Sequence, residues 1–539
     1  MHVNRLYYGD NLSVLKQHVQ AESVDLVYLD PPFNSARSYN VIFERHQIEP
    51  NADAAQIQAF DDTWVWTPVT EQQYATYVGG DLPNLVADAL SAMRTLLGEN
   101  DAMAYLVNMA PRLVQLYRVL KPSGTLVLHC DPTMSHYLKI ILDAIFGAGK
   151  FINEIIWQRT TAHNRTTRFG PVHDVLLVYG KGTSWTWNPI YTPYTQEYIE
   201  STYRSIDPET GRRFSTEKLT ASNPGTRYEW NGVWPSGNQY WGVSEETMKR
   251  LEAEGRLYYS KTGLARLINY LDQMPGRLAQ DVWTDIPPIG AQAAERLGYP
   301  TQKPVALMER ILNAFSNTGD LVLDPFCGCG TTVDAAQKLG RNWIGIDITY
   351  LSVDLIEKRL EHIYGHDIRE TYEVLGIPRD RAAALALFSR SPFDFERWAV
   401  SLVSGQPNQK QVGDKGIDGV ARFPLDGKGA VGRVLVSVKG GKQLNPAMVR
   451  DLGGTVWTQK AEMGVLITNT PPTRGMIDEA NHAGTYQHPH YAQAFPRIQL
   501  ITVDELLSGK RPQMPPTILP YIQALKAKTP ADQGSLFDT

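Results

Sequence analysis

Through its first 180 residues the chain alternates short apolar runs with longer amphipathic stretches, and this alternation restricts the fold more than any other feature. Val24-Asp25-Leu26-Val27-Tyr28-Leu29 reads as a buried strand ending at Asp30-Pro31-Pro32-Phe33, because proline has no N–H to donate within a central ladder. A helix is expected over residues 109–119, stopping near Lys121-Pro122-Ser123-Gly124. A strand over 125–129, a helix over 136–146, a strand over 152–157 and an apolar run at 175–179 follow. Strands alternating with helices of this length predict an α/β fold: a parallel sheet covered on both faces.

The chain has 539 residues, too many for one core; at roughly 100–200 residues per domain it holds three or four units. A hydrophobic content of 42% excludes a wholly disordered chain. The net charge of −5 neither demands nor forbids nucleic acid, because a basic groove can sit on an acidic protein. Three cysteines, Cys130, Cys327 and Cys329, cannot build a disulfide scaffold, which points to a reducing compartment. The opening MHVNRLYYGDNL lacks a secretory pattern and no run approaches 18 apolar residues, so a cytoplasmic protein without a membrane partner is expected.

Texture changes along the chain set the expected boundaries. Residues 1–180 form the first α/β part. From 181 to 290 the alternation weakens and aromatics crowd in, among them Trp185, Tyr203, Trp230 and Trp241, interleaved with basic residues; this reads as an insertion. The α/β pattern returns over 291–372, with helices at 304–315, 333–339 and 351–364 and strands at 321–323 and 343–346. A weakly patterned linker at 373–390 leads to a second α/β unit at 391–510, and the proline-bearing stretch 511–539 reads as a tail.

Two strand ends carry the chemistry. Asp324-Pro325-Phe326-Cys327-Gly328-Cys329-Gly330-Thr331-Thr332 lies between a strand and a helix, where glycines let the backbone turn tightly and approach a ligand. Asp347 ends the next strand, and an acid there can hold both ribose hydroxyls of an adenosine cofactor. A plain structural turn with an ordinary acid is the alternative. Cys327 and Cys329 have no second ligand pair to complete a zinc site and read as small side chains in a tight loop. Asp30-Pro31-Pro32-Phe33 can make a compact clamp for a flat, amine-bearing ring; taken alone, a plain turn is the alternative. Such a ring can stack on Phe33 while Asp30 and the Pro31 carbonyl accept from its NH2.

An adenosine-cofactor loop and an amine clamp in one α/β unit resemble the amino-methyltransferases of DNA, which use S-adenosylmethionine. Asp30–Phe33 look like their Asp-Pro-Pro-Tyr/Phe motif and Asp324–Thr332 like their Phe-x-Gly-x-Gly motif. The order of clamp, insertion and cofactor loop resembles the beta class, with Gly9-Asp10-Asn11-Leu12 similar to its opening segment and Thr301-Gln302-Lys303-Pro304 to the motif that precedes its cofactor loop. The resemblance covers about residues 5–365. It implies a circularly permuted Rossmann-like sheet with an inserted target-recognition region, catalytic Asp30, Pro31, Pro32 and Phe33, and a cofactor site of Asp10, Gln302, Lys303, Asp324, Phe326, Gly328, Gly330, Thr331 and Asp347. Asp in first place favours adenine N6 over cytosine N4 as the methylated amine.

Within the insertion, Arg204, Arg212, Arg213, Arg227 and Asn238 are candidates for contact with double-stranded DNA, while the Trp and Tyr residues can equally form the insertion's own core. The carboxy-terminal unit resembles the restriction-endonuclease-like fold of the Mrr type over about residues 391–490, with Asp418 and Lys439 matching its Asp and Lys. Such a pair can gather Mg2+ and a water against a phosphodiester, with Asp418 as the metal ligand. Ser437 departs from the usual Glu or Gln, and Glu396 is a candidate for the missing carboxylate; a degenerate fold kept for DNA binding or assembly is the alternative. The expected function is a DNA adenine-N6 methyltransferase fused to a restriction-like domain, in restriction-modification or phage defence with restriction or defence subunits as partners. Cytosine-N4 methylation and a non-catalytic DNA-binding assembly subunit are the competitors.

Overall fold

The computed structural model describes residues 4–32, 38–42, 56–61, 64–160, 169–222, 225–290, 293, 295–297, 299, 301–407, 416–425 and 431–516. Phe33 and most of the expected tail lie outside the described residues. The chain divides into two compact units, Met1–Asn188 with Asp281–Thr539, and Pro189–Gln280. No helix among the described residues is long and apolar enough to cross a membrane.

The first unit is organised by a nine-stranded sheet. Its strands are β1 (Asn4–Tyr8), β2 (Val24–Leu29), β3 (Leu120–Cys130), β4 (Phe151–Gln158), β5 (His173–Gly180), β6 (Val282–Trp283), β7 (Leu321–Asp324), β8 (Asn342–Asp347) and β9 (Tyr372–Leu375). Their order across the sheet is β6-β4-β5-β3-β2-β7-β8-β1-β9. Strands from opposite ends of the sequence thus lie side by side in the centre, as a permuted chain requires. β2 and β3 read as apolar runs because both their faces are covered: Leu26, Val27, Leu29, Leu126, Val127 and Leu128 have no exposed surface. Helices α1 (Asn11–His18), α2 (Asp101–Val119), α3 (Ser135–Phe146), α4 (Val305–Phe315), α5 (Thr331–Lys338) and α6 (Tyr350–Tyr364) cover the faces. α2 starts where Asn100 accepts from the Met103 N–H at 3.0 Å, an N-cap that satisfies one of the free amides of the first turn.

The sheet departs from the expected parallel pattern at β5, which runs antiparallel to both β3 and β4. The Arg159 N–H bonds the Val172 carbonyl at 3.0 Å, so the β4–β5 ladder runs one step past the strand ends, and an antiparallel neighbour needs no crossover helix.

A second difference concerns residues 373–390, expected to be a linker. β9 pairs parallel to β1 from Asn4↔Tyr372 to Tyr7↔Leu375, closing the sheet edge, and Arg381–Arg390 forms helix α7. Four strand residues are too few to show a period, and the Ala-rich helix has apolar residues on every side, so neither element carried a readable pattern.

Beyond α7, helix α8 (Pro392–Leu402) packs on a five-stranded sheet of β10 (Gln406–Pro407), β11 (Gly419–Pro424), β12 (Val431–Lys439), β13 (Met463–Thr468) and β14 (Ile498–Thr502). The first two pairings are antiparallel and the last two parallel. Phe395 and Trp398 of α8 are fully buried, each worth on the order of 1.5–3 kcal/mol of burial.

The second unit, Pro189–Gln280, contains a four-stranded antiparallel sheet of Leu257–Tyr259, Ala265–Tyr270, Arg213–Lys218 and Ser205–Ile206. Leu219, Trp230, Trp241 and Met248 form a small core with Tyr228 packed against it, so much of the aromatic enrichment is structural.

Candidate active site

β2, β7, β8 and β1 are neighbours, and their carboxyl ends deliver Asp30, the Asp324–Gly330 turn, Asp347 and Gly9-Asp10 to one edge. All of these segments line a single cavity of about 500 Å³, inside the range of small-molecule sites. The two motifs, about 290 residues apart in sequence, are therefore brought together. Pro31 and Pro32 line the same cavity, while Phe33 lies outside the described residues.

The turn after β7 is tight: the Gly330 N–H bonds the Cys327 carbonyl at 2.7 Å, and Gly328 and Gly330 take φ of 48° and 76°. A Cβ on Gly330 would come within 2.6 Å of Ile356, so that position demands glycine twice over. Cys327 and Cys329 are buried in the turn, and burial pushes both thiols up. Asp347 accepts from the Gly328 N–H at 2.9 Å and from the Thr349 N–H and hydroxyl at 2.8 Å each, which ties the glycine turn to the end of β8. Thr331 is buried at the start of α5 and Phe326 lines the cavity.

On the other flank, burial opposes ionisation of Asp10, but Arg112 at 2.7 Å and Ser13 outweigh it and hold the carboxyl below the usual range. Arg112 also donates to Asn11, whose side-chain amide donates to the Pro325 carbonyl at 2.8 Å. Arg112 is thus the brace that fastens the opening segment to the glycine turn. No motif in the sequence marked it.

Lys303 lines the same cavity as the glycine turn and also reaches the clamp. Its ammonium is 2.5 Å from Asp30 Oδ2, which ties it to the clamp. Gln302 is held by its own segment, donating to the Glu295 carbonyl at 2.5 Å and accepting from the Leu297 N–H at 2.8 Å. Asp30 Oδ1 is buried and has no hydrogen-bond partner among the described residues. A buried acceptor left open costs about 1–3 kcal/mol, a standing demand for a donor from a ligand. Behind it the buried Tyr28 hydroxyl meets His129 Nδ1 at 2.9 Å, and His129 Nε2 meets Asp174 at 3.1 Å, a relay that fixes the end of β2.

The site carries an excess of carboxylates. Desolvation, reinforced by Asp30 and Asp347, pushes Asp324 up to about 7, against opposing hydrogen bonds from Thr332 and the Phe326 N–H. Burial likewise raises Asp347. Carboxylates of this kind suit a ligand carrying a sulfonium and an ammonium, while Phe326 and Ile348 offer apolar walls for an adenine ring. The residues present therefore fit S-adenosylmethionine. On Asp324 the folded chain holds a proton that the unfolded chain releases near 3.8, so unliganded stability falls as pH rises from about 4 to about 7. A cationic ligand favours the carboxylate, so binding at pH 6–7 is expected to release protons. Calorimetry in buffers of different ionisation enthalpy measures this, and Asp324→Asn reduces it.

Residues 24–358 match the DNA methylase family of N6/N4 type. The chain belongs to this family. Residues 394–508 match a second family, described as a NACHT-associated inactive restriction endonuclease. The chain is thus an amino-methyltransferase of the S-adenosylmethionine-dependent kind joined to a restriction-endonuclease-like domain. It is 30% identical over 364 residues to the type II methyltransferase M.EcaI of Enterobacter cloacae, covering 66% of this chain and 69% of that one. With the StyLTI Mod subunit, a type III restriction-modification enzyme of Salmonella typhimurium, it shares 26% identity over 62% of this chain and 50% of that one. The DNA adenine methyltransferase YhdJ of Escherichia coli K12 is 40% identical over 111 residues, 20% of this chain and 37% of its own. The chain therefore spans about two thirds of the first relative's length and half of the second's.

In the restriction-like domain, Asp418 sits beside the end of β12. Its Oδ2 accepts from the Val438 N–H at 2.6 Å and from the Ser437 hydroxyl at 3.4 Å, and Ser437 also donates to the Gly416 carbonyl at 2.7 Å. Lys439 ends β12, and Glu396 lies on α8. Among the described residues no group of three or more His, Cys, Asp or Glu could hold a metal ion. In the second unit Arg212 is tied to Asp272 at 2.6 and 2.9 Å with its guanidinium 3.8 Å over Tyr270. Arg204, Arg213 and Arg227 are exposed and each donates to a backbone carbonyl, and Asn238 is exposed.

Proposed function

We propose that this chain transfers a methyl group from S-adenosylmethionine to N6 of adenine in double-stranded DNA. The observation that supports this most directly is the open acceptor Asp30 Oδ1 in the same cavity as the glycine turn and Asp347. The target base must leave the duplex to enter this cavity. Asp30 Oδ1 and the Pro31 carbonyl then accept from its amine, Phe33 supplies a stacking face, and Lys303 holds Asp30 in place through its other oxygen. These acceptors favour positive charge developing on the amine nitrogen and aim its lone pair, the differential stabilisation that speeds the reaction. Bound S-adenosylmethionine supplies the electrophilic methyl, and positioning at near-attack distance provides much of the rate. Asp at the first clamp position supports adenine over cytosine, and the similarity to an adenine methyltransferase points the same way.

The unit Pro189–Gln280 is proposed as the target-recognition region, with Arg204, Arg213 and Arg227 as backbone or base contacts and Arg212 as a structural brace. The restriction-like domain is proposed not to cleave DNA. One oxygen of Asp418 is already bonded to the β12 backbone, and Ser437 is a weak neutral ligand where a carboxylate would serve Mg2+. Restriction or defence subunits are proposed partners, and the cytoplasm the proposed location. Expression in a host lacking DNA methylation, followed by sequencing for modified bases, tests the central reading. N6-methyladenine at a fixed motif is expected. N4-methylcytosine would replace the base assignment, and unmodified DNA would leave a DNA-binding assembly subunit instead. Incubating unmethylated DNA with the protein and Mg2+ is expected to give no cleavage.

A further inference from the structure

Helix α8, the first helix of the restriction-like domain, has two working faces. Phe395, Trp398 and Ala399 point into that domain's own core and are fully buried. Phe393, Asp394, Arg397 and Ser401 follow one another at helical spacing on the other face. That face is half-buried. Phe393, Asp394 and Arg397 line the same cavity as Asp347 and Ile348. Tyr8, the register partner of Asp347, is close enough to feel the charges of Asp394 and Arg397. Ser401 meets Tyr350 at the start of α6, just beyond Asp347. α8 therefore walls the cavity at the Asp347 end, away from the clamp at Asp30.

The groups it brings are chemically incomplete. The Arg397 guanidinium lies 4.3 Å over the Phe393 ring, and neither Arg397 nor Asp394 has an ion-pair partner among the described residues. Burial pulls the Arg397 pKa down, the mark of a cation short of compensation. Ordinary surface residues would face water or pair with each other, whereas these two sit side by side facing a ligand cavity.

We propose that the restriction-endonuclease-like domain completes the cofactor site, with Asp394 and Arg397 reading the adenine edge of S-adenosylmethionine and Phe393 walling its ring. This rests on the cofactor reading above. Adenine presents an amine donor next to a ring-nitrogen acceptor. A carboxylate beside a guanidinium is the complement of that edge. The methyltransferase pocket is then built from both family segments, and the restriction-like fold serves cofactor selection rather than cutting.

The test uses the full chain and two probes, S-adenosylhomocysteine and S-inosylhomocysteine, whose ring carries a carbonyl and an N–H where adenine has its amine and free nitrogen. Wild type is expected to prefer the adenosine probe by about tenfold or more, the scale of one lost charge-assisted hydrogen bond. Asp394→Ala should weaken the adenosine probe about tenfold and erase the preference. Arg397→Ala should weaken it similarly, with Arg397→Lys recovering part. Unchanged melting of the unliganded variants confirms that they fold. If wild type and Asp347→Ala differ while both α8 variants bind and discriminate as wild type does, the α8 proposal is overturned and the cofactor reading stands. If wild type binds neither probe, the cofactor reading itself is overturned.

Discussion

Asp30→Ala lowers methyl transfer to DNA on the order of 10³-fold while the chain still binds cofactor. The large loss is expected because Asp30 supplies the charged acceptor in the clamp, and its open oxygen is buried without a hydrogen-bond partner among the described residues. The substitution also strands the Lys303 ammonium, which stands 2.5 Å from Asp30 in the intact chain. An unpaired cation near a positively charged cofactor repels it, so affinity should fall several-fold without vanishing. Asp30→Asn separates the two effects: it keeps the shape and loses the charge, so cofactor affinity follows Asp30→Ala while transfer remains low. Radiolabelled methyl transfer with calorimetric cofactor binding measures both quantities. Full residual transfer in either variant would remove Asp30 from the reaction.

Asp347→Ala is expected to act at the opposite end of the cavity. Two hydrogen bonds from ribose hydroxyls to a carboxylate, at about 1.5 kcal/mol each, correspond to roughly 100-fold in affinity. The carboxylate also organises its surroundings, holding the Gly328 N–H and Thr349. Its removal should therefore slacken the glycine turn as well. With saturating cofactor, transfer by Asp347→Ala recovers, whereas transfer by Asp30→Ala does not; that split in KM and kcat distinguishes a binding residue from a clamp residue. Equal affinity in wild type and variant would exclude Asp347 from the cofactor site.

The sheet and both motifs were legible because doubly covered strands are nearly all apolar and because each motif follows directly on such a strand. What was not legible depended on distance. Arg112 is one arginine on a long helix, and only the fold sets it against Asp10 and Asn11. Lys303 lies in a motif whose family role concerned the cofactor, and only the approach of its loop to β2 shows it holding Asp30. The antiparallel course of β5 is a matter of strand direction, which an apolar run cannot encode. Phe393, Asp394 and Arg397 read as the start of a separate domain because their spacing suits any amphipathic helix. The arginines of the insertion drew attention by type, yet Arg212 is tied down by Asp272, a pairing 60 residues distant.

β9 gives the boundary between the two family segments a particular mechanical character. It hydrogen-bonds to β1 and leads through α7 into α8, so what joins them is a seam of shared backbone rather than a tether. Truncation near residue 371 would leave β1 with a bare edge of unpaired amides and carbonyls, a template for sticking to other chains. Such a fragment should precipitate where the intact protein does not. Descent would feel the same constraint, since exchanging the rear half for another module would have to carry the strand that seals the front half.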